Sequence, residues 1–140
     1  VITGANRGLG LALAKQHLAN GATVIGGCRN PSGAHELTSA GAEVLPLDTG
    51  SGESIAAFGT AMGDRAVDVL YNNAGIDARA GGAADGARSA LDITEAQFRA
   101  VVDVNVLGPL LMVQALIDSL RRAKGTTGCF FQWDGSIHPW

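Results

Sequence analysis

Two rhythms of apolar spacing alternate along this chain. Short apolar runs that read as strands stand at Val1 and Ile2, Ala22 to Gly27, Glu43 to Leu47 and Val67 to Tyr71. Between them, apolar residues recur at helical spacing. Leu9 to Asn20 predicts a helix that turns Leu9, Leu13 and Leu18 toward a sheet and stops at Asn20-Gly21. Ala34 to Ala40 predicts a short helix, and Ser51 to Met62 a longer one with Ser54, Ile55, Phe58 and Met62 along one side. Strands alternating with helices in this way predict an α/β fold, a parallel sheet covered by helices. The β-branched run Val67 to Tyr71 reads as a buried central strand. Ala78 to Ala90 carries no periodicity and reads as a surface loop. Thr94-Glu95-Ala96-Gln97 fits a capping box. It opens a long helix over 94–122 whose last turn carries Arg121 and Arg122, the charge that a helix C-terminus favours. Pro109 lacks an N–H and crowds the preceding turn, so it bends this helix.

The long helix is apolar nearly all round, with Val101, Val106, Leu107, Leu110, Leu111, Val113 and Leu120 on different sides. Such a helix needs a second covering surface. Asp103, Asn105, Gly108, Pro109, Gln114 and Asp118 interrupt it, so no membrane span is expected. With 46% hydrophobic and 16% charged residues, the chain reads as one packed domain rather than a disordered segment. A net charge of −3 without a basic run argues against nucleic acid as a partner. Cys28 and Cys129 lie far apart without metal-like spacing, and His17, His35 and His138 complete no ligand set. No metal site is expected, and reduced thiols point to a cytoplasmic protein. His17 and His35 are expected to face solvent. Val1 stands where a Met would start a chain and the first strand is a stub, so the sequence is expected to begin a few residues inside a longer protein.

The candidate chemistry lies at Thr3-Gly4-Ala5-Asn6-Arg7-Gly8-Leu9-Gly10, where a strand gives way to a helix. Unpaired amides and the positive dipole end at a helix start attract phosphate. Glycines there permit tight turning and close approach of the backbone to a diphosphate. Three further signals follow in order: Asp48 after the third strand, Asn72-Asn73-Ala74-Gly75 after the fourth, and Asn105 within the long helix. With these, residues 1–125 resemble the short-chain dehydrogenase/reductase family, whose members carry T-G-x-x-x-G-x-G, N-N-A-G and a helix Asn in this order.

The resemblance implies a Rossmann-type doubly wound sheet in strand order 3-2-1-4, with a fifth strand at Cys129 to Gln132 beside the fourth. It implies that Gly4, Gly8, Leu9 and Gly10 line a pyrophosphate and that Asn6 lies near the adenosine ribose. Asp48 would meet the adenine amino group, and Asn73, Ala74 and Gly75 would pack along the ribose side. Asp48 also reads as an ordinary loop carboxylate or helix cap. Cofactor choice follows from charge. NAD-selective folds place a carboxylate about 20 positions beyond the glycine turn; here stands Cys28-Arg29-Asn30, and Arg7 lies in the turn itself. Arg29 and Arg7 therefore favour NADP(H) over NAD(H) through charge-assisted hydrogen bonds to a 2′-phosphate. Asn105 has two compatible roles. Its amide can pair with exposed main chain where the helix deforms before Gly108-Pro109, and by family resemblance its region holds a water on a proton path.

That path would end at a lysine of a Tyr-x-x-x-Lys pair, which this sequence does not contain. The one tyrosine is Tyr71, and Gly75 stands four residues on. Tyr71 reads as a packing residue, and the chain alone is expected to be inactive. The tail from 126 to 140 departs from the family. Codons for Cys129-Phe130-Phe131-Gln132-Trp133, read one nucleotide later, can encode Val-Ser-Ser-Ser-Gly, a run the family carries near this point. A slipped reading frame and a divergent strand both stand as explanations. Within the family, Cys28-Arg29-Asn30-Pro31 and Gly108 to Leu116 look most like a carbonyl-reductase-like branch. The resemblance implies hydride transfer between the nicotinamide and a small-molecule carbonyl or alcohol, and a homo-oligomer formed through helix 94–122. A non-catalytic NADP(H)-binding or signalling module and a non-functional frameshifted fragment are the alternatives.

Overall fold

The computed structural model describes residues 1–77, 90–123, 130–131 and 137–138. The expected loop from Ala78 to Ala90 lies outside them except for Ala90, which opens a 3₁₀ turn (Ala90–Asp92); Cys129 and Gln132 also lie outside. Strand β1 (Ile2–Thr3) leads into helix α1 (Gly8–Ala19), then β2 (Ile25–Cys28), a short 3₁₀ turn and α2 (His35–Ser39). Strand β3 (Glu43–Pro46) is followed by α3 (Gly52–Met62). All three strands run parallel in the order β1-β2-β3, with Ile2 opposite Gly26 and Ile25 opposite Glu43.

Parallel strands joined by helices need cover on both faces, and two separate cores provide it. On one face Ile2, Ala14, Val24, Cys28 and Leu37 pack between the sheet, α1 and α2. On the other, Ile25, Leu47, Ile55, Phe58, Met62 and Met112 pack beneath α3 and the long helical run. The segment 67–71 lies on the far side of β1, which completes the doubly wound order 3-2-1-4. It joins by a single parallel bridge between Ile2 and Tyr71.

The expected buried central strand is therefore reduced to an edge contact. Thr3 N–H donates to the Tyr71 carbonyl and Tyr71 N–H to that of Val1, but β1 offers only two strand residues to pair with. Val67 is buried, yet Val69 is 49% exposed. No described strand covers its outer side. The expected fifth strand is also elsewhere. Strand β4 (Phe130–Phe131) pairs antiparallel with β5 (Ile137–His138) in a separate two-stranded ribbon.

The expected long helix is continuous in course but not in winding. Helix α4 (Glu95–Val102) passes into a π-helical turn (Asp103–Leu107), then α5 (Gly108–Ala115) and α6 (Ile117–Arg121). Thr94 and Gln97 close the capping box reciprocally, with Thr94 N–H to Gln97 Oε1 at 2.8 Å and Gln97 N–H to Thr94 Oγ1 at 3.3 Å. Among the described residues, Glu95–Ala115 is the one helical run long and apolar enough to cross a membrane by length and composition. Here Met112 and Gly108 seat it against the rest of the fold, both buried.

Two side chains depart from the spacing argument. Leu9 is 79% exposed, because it faces an open cleft at the carboxyl ends of the strands. His17 does not simply face solvent: its Nε2 lies 2.9 Å from the Tyr71 hydroxyl, with the rings 5.3 Å apart.

Candidate functional site

The carboxyl ends of β1, β2, β3 and segment 67–71 all open into one cleft. The chain leaves β1 toward β2 and β3, then crosses back to the far side of β1. Open α/β sheets bind ligands where the strand order reverses in this way. The cleft has a volume of ≈ 560 Å³ and gathers residues from five parts of the chain.

Its floor is the turn between β1 and α1. Gly4 N–H and Ala5 N–H both donate to the Gly27 carbonyl, at 2.8 and 3.3 Å, which pins the turn to the end of β2. Gly4 has φ +64°, and a Cβ there would lie 3.0 Å from Ala74 Cα. A Cβ on Gly10 would collide with the Gly4 carbonyl and the Asn73 amide. Gly8, at φ +55°, faces open space. Helix α1 has neither a side-chain cap nor an acid in its first turn, whereas Ser51 caps α3 and Thr94 caps α4. Its leading amides are left for an external acceptor, which suits an anion.

The second wall is tied to the floor by side chains. Asn73 Nδ2 donates to the carbonyls of Thr3 (2.9 Å) and Gly4 (3.4 Å). Thr3 Oγ1 accepts from Ala74 N–H at 2.9 Å and donates to the Tyr71 carbonyl. Arg7 and Arg29, both exposed, stand on the rim. Among the described residues neither guanidinium pairs with a carboxylate. Asp48 Oδ1 accepts from Gly50 N–H at 3.0 Å, and Asp48 N–H donates to Ser54 Oγ, so this residue closes a turn as well as lining the cleft.

Gly4, Asn6, Arg7, Gly8, Leu9, Gly10, Arg29, Asp48, Asn73, Ala74 and Gly75 all line this one cleft. Asn105 stands just behind it. Its amide donates to the Ile76 carbonyl at 2.8 Å, and its Oδ1 accepts from Ile76 N–H at 2.9 Å. The main chain it meets is thus that of a loop 29 residues earlier, not of its own helix. Sequence reasoning missed Cys28, Asn30, Leu47, Thr49, Ile76 and Val104 as lining residues. All six flank residues already singled out, and for the first four the position beside a strand end was a further usable signal. Burial pushes the Cys28 thiol above the ordinary cysteine range, partly offset by a backbone hydrogen bond at Asn30. That thiol is a packing group rather than a nucleophile. No cluster of metal-ligating side chains exists among the described residues.

Comparison with known proteins adds four findings. A family model described as short chain dehydrogenase matches residues 1–128. Human retinol dehydrogenase 16 is 34% identical over 131 residues, covering 89% of this chain and 39% of that protein. A short-chain dehydrogenase from Streptomyces avermitilis superposes with a TM-score of 0.73 at 32% identity, over 86% of this chain and 43% of that one. An NADPH-bound carbonyl reductase from chicken fatty liver gives 0.72 at 30% identity, over 87% and 52%. The chain spans about half or less of the length of these proteins.

Proposed function

Because the chain belongs to the short-chain dehydrogenase/reductase family, as its N-terminal half, we propose that it is the NADP(H)-binding half of an oxidoreductase acting on a carbonyl or alcohol. The observation that carries this reading is the glycine cradle: an uncapped helix start, one glycine facing open space and two walled in by neighbouring backbone. These residues fit a dinucleotide. Gly4, Gly8, Leu9 and Gly10 hold the diphosphate, Asn6 and Asn73 to Gly75 the ribose side, and Asp48 the adenine. When bound, the cofactor supplies or accepts the hydride.

NADP(H) is preferred over NAD(H). Arg29 follows β2 at the rim, Arg7 stands in the glycine turn, and among the described residues no carboxylate pairs with either. The NADPH-bound carbonyl reductase among the similar structures supports a nicotinamide cofactor of this kind. Each charge-assisted hydrogen bond to a 2′-phosphate contributes about 1.5–3 kcal/mol, roughly a tenfold to hundredfold difference in affinity.

Proton delivery is the part this sequence does not supply. Tyr71 holds the edge of the sheet and bonds to His17, away from the cleft lining. The 140-residue chain binds without turnover, and the carbonyl or alcohol substrate belongs to the longer protein. That protein works in the cytoplasm and self-associates through the helical run 95–121. Titrating the purified chain with NADPH and NADH by nicotinamide fluorescence tests the reading. NADPH binds at least about tenfold more tightly, and Arg29→Asp erases or reverses the difference. Unchanged discrimination in that variant refutes the assignment of Arg29.

A further inference from the structure

The π turn between α4 and α5 has two causes in adjacent residues. Pro109 has no N–H, so the Asn105 carbonyl, four residues earlier, loses its α-helical donor. Gly108 sends its own N–H five residues back to the Asp103 carbonyl, away from Val104. Gly108 is also fixed from outside the helix. A Cβ there would lie 2.5 Å from the Thr49 carbonyl oxygen and 3.3 Å from Thr49 Cβ. Only glycine lets the helix lie this close to the turn after β3.

A π turn carries more residues around one circuit than an α turn, and such turns concentrate at functional sites. Here it brings two consecutive side chains to the same task. Val104 lines the cleft, its Cγ2 3.1 Å from where a Cβ on Gly50 would stand. Asn105 clasps both main-chain polar groups of Ile76. In a regular α-helix these neighbours would project about 100° apart.

We propose that Gly108 and Pro109 are the positioning residues of the cofactor cleft: they hold the π turn open so that Val104 and Asn105 brace the loops 48–50 and 73–76. Neither residue touches the cleft. They act through Val104 and Asn105, and the proposal rests on reading the cleft as a cofactor site.

Pro109→Ala tests it, because it returns an N–H at 109 and favours a regular α-helix. The readout is amide hydrogen exchange by NMR on the 140-residue chain. Ile76 N–H reports the Asn105 clasp, and Thr3 and Gly4 N–H report the sheet. In P109A, Ile76 exchanges about tenfold faster, as it does in Asn105→Ala, while the sheet amides keep their rates. The thermal midpoint holds or rises, since a helix-interior proline has been removed, yet NADPH affinity falls about tenfold. That split separates positioning from a merely structural role. Unchanged Ile76 exchange in P109A overturns the proposal, as does faster exchange with NADPH affinity intact. A wild-type chain that binds no NADPH defeats the cofactor reading instead, and Ile76 exchange then still decides whether the pair positions Asn105.

Discussion

Gly8 and Gly10 sit two residues apart in one turn, yet a methyl group added to each does a different thing. At Gly10 it meets the Gly4 carbonyl and the Asn73 amide, so Gly10→Ala overpacks the turn and lowers stability by about 1–3 kcal/mol. At Gly8 it meets nothing within 4 Å. Gly8→Ala therefore costs only the positive-φ penalty of about 1–2 kcal/mol, while its methyl intrudes where a diphosphate would approach the bare amides. Urea denaturation and NADPH titration in parallel separate the two. G8A loses binding out of proportion to stability, and retained binding would contradict the cradle. Glycines of this kind were legible in the sequence, because their spacing reflects a local backbone demand. The contact between His17 and Tyr71 was not, since its partners lie 54 residues apart and no local pattern joins them. Leu9 misled for a related reason: spacing gives the side of a helix, not whether its first turn meets the sheet or an open cleft.

Helix starts were the most legible elements. Ser51 accepts from Ser54 N–H at 3.2 Å, and Thr94 with Gln97 forms the full reciprocal box. Both are encoded within four residues. Thr94→Ala should remove about 1 kcal/mol of stability, and Thr94→Ser should restore most of it; urea midpoints for the three proteins check this. An unchanged midpoint in T94A would mean that α4 forms through its packing alone. Where an element's form depends on distant chain, the sequence was less informative. Pro109 announced a bend, but the close approach of the Thr49 carbonyl to Gly108, from 59 positions earlier in the chain, did not show in the local pattern. The break at Leu116, which divides α5 from α6, carried no proline or glycine to mark it. Segment 67–71 has strand composition except at Asp68, yet it makes one bridge, because pairing needs a neighbour and composition does not supply one.

At the scale of the molecule, the sheet order and its two cores follow from the alternation of strands and helices, and the cleft follows from that order. The helical run 95–121 leaves Phe98, Val106, Leu107 and Leu110 between 42% and 64% exposed, with the Glu95–Arg99 ion pair near one end and Arg121 and Asp118 at the other. An apolar centre between charged ends suits antiparallel pairing of two copies, which would bring the acidic start of one helix near the basic end of the other. Sedimentation should find self-association that rises with concentration, and Leu110→Lys should abolish it while the far-ultraviolet circular dichroism stays unchanged. A wild-type chain that stays monomeric and floats with lipid vesicles would assign this face to a membrane instead. The clamp that closes the cleft joins Asn73 and Ala74 to Thr3 and Gly4, across 69 to 71 positions of sequence. At about 5–20 residues per second of synthesis, the cradle leaves the ribosome roughly 4–14 s before its clamp. Nascent chain too short to include residue 74 can pin the glycine turn to the Gly27 carbonyl but lacks the second wall of the cleft, so a ligand cannot assist the first steps of folding and can only lock the last.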